Sequence, residues 1–252
     1  YGVFFEDINY GADGGLYGEL IKNRSFEYPQ PLMGWNTIGD VVVKDDGPFN
    51  RCPHYVRLSY SGKRDMATGI ENRGFLGMSL LGGEQYRFTV WARVPEDGEA
   101  QLNIGLRDLD SQEENFTSCE TDINVCGSEW SKYTVVLTTP YTIKKASLTV
   151  FLKGTVPVDV EHISLFPVNT WHGHENGLRK DLAQHLANLK PGVMRFPGGC
   201  IVEGATLDTR YNWKHSIGTV ENRPLNETRW NYGKERTHFD YYQSYGCLLY
   251  TS

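Results

Sequence analysis

The chain has 252 residues, 39% of them hydrophobic and 22% charged, a composition that supports a sizeable core. Its formal net charge of −6 argues against a nucleic-acid partner, which leaves a basic footprint on a sequence. No run of about 18 apolar residues occurs, so no membrane-spanning helix and no membrane partner is expected.

In chain order, Gly2-Val3-Phe4-Phe5-Glu6-Asp7-Ile8-Asn9 is an apolar run that ends in acids. It reads as a buried parallel strand with polar function at its C-terminal edge. A glycine-rich turn leads to Leu16-Tyr17-Gly18-Glu19-Leu20-Ile21, whose apolar spacing is helical, so residues 1–29 read as one βα unit. Residues 30–167 change character. Short β-rich runs at 41–44, 55–60, 86–94, 102–109, 133–138, 147–152 and 158–166 alternate with Gly, Asp and Pro turns. That spacing predicts a β-sandwich or jelly roll.

From residue 168 the α/β pattern returns. Leu178, Leu182, Leu186 and Leu189 share one face of a predicted helix, Pro191-Gly192 ends it, and Val193-Met194-Arg195-Phe196-Pro197 reads as a short buried strand. A sandwich is thus expected to interrupt an α/β domain. The residues outside it fall well short of the roughly 250 that an eight-fold barrel requires, and amount to about two βα units. Residues 168–246 are read as the second unit and its following loop. Cys247 to Ser252 read as a foreign tail. The chain opens at Tyr1 without a charged-then-apolar leader, which leaves the compartment open; secreted and periplasmic locations are both compatible.

Two positions carry the strongest chemical signals. Glu6 falls at the C-terminal end of the first strand, the functional rim of a βα barrel, where a carboxylate can bind substrate hydroxyls or serve a structural role. Arg195 precedes Pro197-Gly198-Gly199, a turn that lets a ligand approach the backbone closely. An arginine there fits a sugar or carboxylate clamp, or a structural pin whose partner is a carboxylate such as Glu6. Trp213, in the loop that follows, fits either a sugar-subsite wall or a loop anchor.

Other signals are weaker. His172-Gly173-His174-Glu175 lacks helical HExxH geometry and reads as loop; no metal site is expected. Asn226-Glu227 reads as solvated loop, and the sequons at Asn23, Asn115 and Asn226 carry little weight. The five Cys have no zinc spacing, and a Cys119–Cys126 disulfide is left open. Six Trp and fifteen Tyr exceed the needs of a core this size; they serve equally as sandwich core or as sugar platforms, with Trp35, Trp91 and Trp130 the candidates in the sandwich and Trp91 read as buried.

Several motifs together resemble α-L-arabinofuranosidases of glycoside hydrolase family 51, in the variety with a carbohydrate-binding-module-like sandwich inserted after the first βα unit. They are residues 1–9, Asp13-Gly14-Gly15-Leu16-Tyr17-Gly18-Glu19-Leu20, Asn23-Arg24-Ser25-Phe26-Glu27, Gly177-Leu178-Arg179-Lys180-Asp181-Leu182 and Arg195-Phe196-Pro197-Gly198-Gly199-Cys200-Ile201-Val202-Glu203, in order along the chain. The resemblance implies a (β/α)8 TIM barrel, here incomplete, carrying a galactose-binding-like jelly-roll sandwich. It also implies release of terminal arabinofuranosyl residues from arabinan- or arabinoxylan-type plant cell-wall polysaccharides, with retention. Retention uses two carboxyl groups about 5–5.5 Å apart. The family carries them at the ends of the fourth and seventh strands, so no catalytic residue is expected in this chain and it is expected to be inactive alone.

The resemblance assigns substrate binding to Glu6 and orientation of the site's carboxylates to Arg195. Cys200 stands where the family often has Asn, and a thiol replaces only part of an amide's hydrogen bonding. Gly218-Thr219 departs from the family's Gly-Pro. No cofactor is implied; sandwiches of this type often hold a structural calcium, but no Asp cluster here demands one. An oligomer is compatible with the full-length enzyme. A non-catalytic glycan-binding module is the competing reading.

Overall fold

A computed structural model describes residues 1–8, 10–62, 67–96, 98–112 and 117–226, together with the backbone of 240–241. The chain divides into two compact units, Tyr1–Glu19 with Val168–Ser252, and Leu20–Pro167. In chain order the main elements are β1 (Gly2–Phe4), β2 (Trp35–Ile38), β3 (Asp40–Lys44), β4 (Tyr55–Ser59), β5 (Thr68–Asn72), β6 (Met78–Leu80), β7 (Gln85–Arg93), β8 (Glu99–Asp108) and β9 (Thr117–Cys126). Then follow β10 (Ser131–Thr138), β11 (Ile143–Lys153), β12 (Val158–Pro167), α1 (Lys180–Asn188), β13 (Val193–Arg195), α2 (Cys200–Glu203), β14 (Leu225–Asn226) and β15 (Asp240–Tyr241).

The second unit is built from two antiparallel sheets. One has the order β10-β7-β12-β4-β3; the other runs β2-β5-β11-β8-β9, with β6 also pairing β11. Alternation dictates what each strand buries. Tyr86, Phe88, Val90 and Ala92 of β7 point into one core with Ala100, Leu102, Ile104 and Leu106 of β8 and Ala146, Leu148, Val150 and Leu152 of β11. Each fully buried aliphatic or Phe side chain contributes roughly 1.5–3 kcal/mol over its exposed state.

Strand β12 is buried on both faces except at its last residue. Its outward side is covered by preceding loops: Ile163 N–H donates to Arg24 O at 2.9 Å, Ser25 Oγ meets His162 Nδ1 at 3.1 Å, and the Phe49 ring packs edge-on against Trp91 on β7. Asn23 staples one of those loops. Its Nδ2 donates to the carbonyls of Pro31 and Met33 at 2.8 and 3.0 Å, and its Oδ1 accepts from Tyr28 N–H at 3.2 Å.

Each of the seven predicted sandwich segments forms a strand, but β2, β5, β6 and β9 carry too little local signal to be found. Strand β9 is an example: Glu120, Asp122 and Asn124 alternate with core residues, and such polar types disfavour strands. Pairing with β8 along nearly its full length overrides that preference. Cys119 and Cys126 are free thiols on this strand. Seven residues of extended chain place them roughly 23 Å apart, far beyond disulfide reach.

The first unit departs from expectation in two ways. Residues 16–21 form no helix: Leu16 lies in a turn, Tyr17 in an isolated bridge, and residues 18–21 are irregular. Their backbone donors go elsewhere: Gly18 N–H to Gly177 O at 3.1 Å and Leu20 N–H to Leu165 O at 3.0 Å, while Tyr17 bridges Leu178. Gly14 and Gly18, poor in helices, make that exchange easy. The second departure is that β1 and β13 are not buried. They pair in parallel, Gly2 opposite Val193 and Phe4 opposite Arg195, and among the described residues no third strand joins them. Parallel strands lose water only when both faces are covered, so Phe4 and Val193 remain 54% and 65% exposed.

The predicted helix forms as α1, shorter than expected at both ends, and Leu189 lies beyond it, exposed. No helix among the described residues is long and apolar enough to cross a membrane. Glu227, the sequon at Asn115 and the tail from Cys247 lie outside the described residues.

Candidate functional site

Parallel pairing brings the C-terminal ends of β1 and β13 side by side, and the chain continues from both into one knot of hydrogen bonds. Phe5 N–H donates to Arg195 O at 2.9 Å and Asp7 N–H to Pro197 O at 2.7 Å, which extends the pairing past the last strand residues. Glu6 lies between these two anchors. Its Oε1 accepts the N–H of Gly199 at 3.0 Å, a charge-assisted bond. Gly198 has φ +142°, and a Cβ there would stand 2.4 Å from Glu6 Cγ. Only glycine lets the turn close this tightly on the carboxylate.

Arg195 is beside this carboxylate but does not pair with it. Its guanidinium lies 4.7 Å over the Phe4 ring, and among the described residues no ion pair joins it to Glu6. The arginine is also exposed, whereas a buried strand was expected, for the reason given for β13. Stacking on Phe4 orients the guanidinium while leaving its donors to solvent. Cys200, half-buried and free, opens α2 directly after the glycine turn. Trp213 stands apart. It begins the 3-10 turn Trp213–Ser216, is 54% exposed, and has no hydrogen bond or ring contact with Glu6 or Arg195 among the described residues. The structure therefore gathers Glu6, Arg195, Gly199 and Cys200 by strand pairing and chain continuity, and leaves Trp213 outside that group.

Asp7 has a role that sequence reasoning missed. It points away from the rim into the turn that follows, is 2% exposed, and its Oδ1 accepts Ala12 N–H at 3.0 Å. Burial pushes its carboxyl up to about 7, the neighbouring Asp13 carboxylate adds to the rise, and the Ala12 hydrogen bond opposes it. The two adjacent acids thus have opposite environments: Glu6 faces the rim, and Asp7 holds the loop that supports it. The acidic doublet at the strand end was visible in the sequence, but which member faces inward depends on the pairing with Pro197.

Chemically, the rim combines an acceptor, the Glu6 carboxylate with Oε2 left open, and a donor fork, Arg195. That set can grip hydroxyl groups of a sugar. Among the described residues no group of three or more His, Cys, Asp or Glu side chains is placed to hold a metal ion.

Comparison with known proteins bears on the whole chain. Residues 18–158 match the family model described as a carbohydrate binding domain, and residues 185–246 match that of the α-L-arabinofuranosidase 1 domain. An extracellular exo-α-L-arabinofuranosidase of Streptomyces chartreusis is 36% identical over 271 aligned residues, covering 99% of this chain and 30% of the relative. The α-L-arabinofuranosidase 1 of Arabidopsis thaliana is 32% identical, covering 96% and 38%. An arabinose-bound family-51 α-L-arabinofuranosidase structure superposes with a TM-score of 0.80 at 28% identity, over 92% of this chain and 39% of that one. The chain belongs to the family of the carbohydrate binding domain model, and along nearly its whole length it is similar to family-51 α-L-arabinofuranosidases. It spans about a third of the length of the relatives it matches. Within the chain, residues 18–158 match the carbohydrate binding domain, and Glu6 lies in the other unit.

Proposed function

We propose that the whole protein is a retaining α-L-arabinofuranosidase that releases terminal arabinofuranosyl residues from arabinan- or arabinoxylan-type polysaccharides. In this reading, β1 and β13 are the first two strands of a (β/α)8 barrel, α1 belongs to the connection between them, and residues 20–167 are an inserted sandwich. The chain then supplies the sugar-gripping half of the site, with Glu6 accepting hydrogen bonds from ring hydroxyls and Arg195 orienting the site's carboxylates. Cys200 lines the same rim, and Trp213 is a more distant wall. The nucleophile and the acid/base, which retention requires about 5–5.5 Å apart, belong to later strands. The 252-residue chain alone is therefore inactive.

The observation that carries this reading is the Glu6 carboxylate held by Gly199 N–H at the C-terminal ends of two adjacent parallel strands, the edge where barrel enzymes bind substrate. The test is hydrolysis of an aryl α-L-arabinofuranoside and of arabinoxylan by full-length protein. Turnover is expected, with kcat/KM about tenfold or more lower in Glu6→Gln, the loss expected when hydrogen bonds to a charged group are weakened. An inert full-length protein, or a Glu6→Gln variant with unchanged kcat/KM, would overturn it.

A further inference from the structure

The loop between β12 and α1 carries His172-Gly173-His174, two imidazoles that the Glu6 rim does not use. Its stem is stapled. Thr170 and Arg179 form an antiparallel bridge, and Trp171 N–H donates to Leu178 O at 2.9 Å. Beyond that stem the chain turns tightly. Gly173 N–H donates to Thr170 O at 3.1 Å, His174 N–H to Trp171 O at 3.3 Å and Gly177 N–H to His174 O at 3.1 Å, and Thr170 Oγ1 donates to the same His174 carbonyl. His172 takes φ +53° and Gly173 φ +71°. Left-handed backbone is uncommon at a residue with a Cβ, and here it reverses the chain between the two histidines.

The reversal leaves two imidazoles close together at the surface. Their planes are parallel to within 6° and their ring centres lie 6.4 Å apart. The Trp171 ring backs His172, with centres 4.5 Å apart. Both histidines are exposed, and among the described residues neither ring makes a hydrogen bond to the protein.

That spacing has a chemical meaning. A metal–nitrogen bond of ~2.0–2.1 Å places a ring centre ~3.2 Å from the ion, so two imidazoles on one ion have centres at most ~6.4 Å apart. The pair stands at that limit. Exposed side chains change rotamer rapidly, so small rotations reach the ~5.2 Å spacing that a tetrahedral ion sets. The pair lacks the further protein ligands of a closed zinc site, which leaves the other positions to water. A hard ion, which needs many oxygen ligands, gains little from such a pair, whereas imidazole suits Zn2+, Ni2+ and Cu2+. Glu175, next in the chain and exposed, adds negative charge beside it.

We propose that His172 and His174 form a surface chelate for a borderline divalent transition-metal ion of the Zn2+, Ni2+ and Cu2+ class, with water completing its shell. The stapled turn keeps the two side chains near each other before the ion arrives, which reduces the entropy lost on binding. The chelate uses no residue of the Glu6 rim, so it binds whether or not the whole protein cleaves arabinofuranosides.

Ni2+ is the probe, because Cu2+ oxidises free thiols and Cys126 is an exposed one. Calorimetric titration of the untagged 252-residue protein is expected to show one Ni2+ site, for which Zn2+ competes and Ca2+ does not. Filling it quenches tryptophan fluorescence, since Trp171 lies against His172. His172→Asn removes one ligand and keeps a residue that tolerates the left-handed backbone. His174→Ala removes the other at an ordinary extended position, φ −67°, so it stays informative if His172→Asn disturbs the turn. Each weakens Ni2+ binding by about a hundredfold, the order of advantage that a second linked ligand supplies. His185→Ala on α1 and Cys126→Ser leave it unchanged. The proposal falls if the wild type binds no Ni2+, if Ca2+ displaces the bound ion, or if His174→Ala keeps wild-type affinity.

Discussion

Replacing Asp7 with Asn isolates the cost of a carboxyl buried beneath the rim. The side chain is 2% exposed, and burial with the Asp13 charge raises its pKa from 3.8 to about 7. In the unfolded chain the group ionises near its ordinary value. The folded state therefore carries no penalty below about pH 4, an increasing one between about pH 4 and 7, and a constant one above. A shift of about three units at 1.36 kcal/mol each sets that penalty on the order of 4 kcal/mol, with a slope of at most about 1.4 kcal/mol per pH unit. Asn has no charge to bury, and its Oδ1 still accepts the Ala12 N–H. Local stability is best read by hydrogen exchange at the Leu16 and Tyr17 amides, which close this turn by donating to Gly11 O and Ala12 O. In the wild type, their protection, corrected for intrinsic exchange, falls between pH 5 and 7 and levels off above. In Asp7→Asn it is flat across that range and exceeds wild type at pH 8. Equal pH slopes in the two proteins would refute the reasoning.

Gly198→Ala forces a Cβ against Glu6 Cγ at a backbone angle that L-residues avoid, and costs about 1–3 kcal/mol; the Gly199 amide proton resonance moves upfield as its bond to Glu6 is lost. An unmoved Gly199 resonance would contradict the assignment. Asp159→Asn leaves Arg57 and Arg93 without their buried counter-charge and lowers sandwich stability in urea by about 3–5 kcal/mol, and a loss under about 1 kcal/mol would count against it. Leu102→Ala, at a fully buried core position, costs about 2–5 kcal/mol in the same melt.

Some of the molecule was legible from local pattern. The alternation in Tyr86-Arg87-Phe88-Thr89-Val90-Trp91 specifies both a strand and its inward face, because side-chain direction in a strand has period two whatever the strand pairs with. The α1 helix is legible for a similar reason, its leucines recurring with helical period. Glu6 and Arg195 stood out in the sequence because an acid ending an apolar run and an arginine before Pro-Gly-Gly are local signals.

Other features depended on partners distant in the chain. Leu16 to Ile21 has helical apolar spacing, but Gly18 and Leu20 give their N–H groups to Gly177 and Leu165, which no local period encodes. Trp35 and Phe151 show the same limit: one ring entered the core and the other set one edge against Gly69, a choice made by packing and not by residue type. Arg195 and Glu6 became neighbours through the register of β1 on β13, yet the guanidinium went to Phe4 rather than the carboxylate. The sequence by itself determined which segments alternate, turn or end in charge, since those properties belong to residues and their immediate spacing. Tertiary structure alone decided which backbone donors were shared, which ring faced outward and which acid was buried, because each of those depends on a contact between segments far apart in the chain.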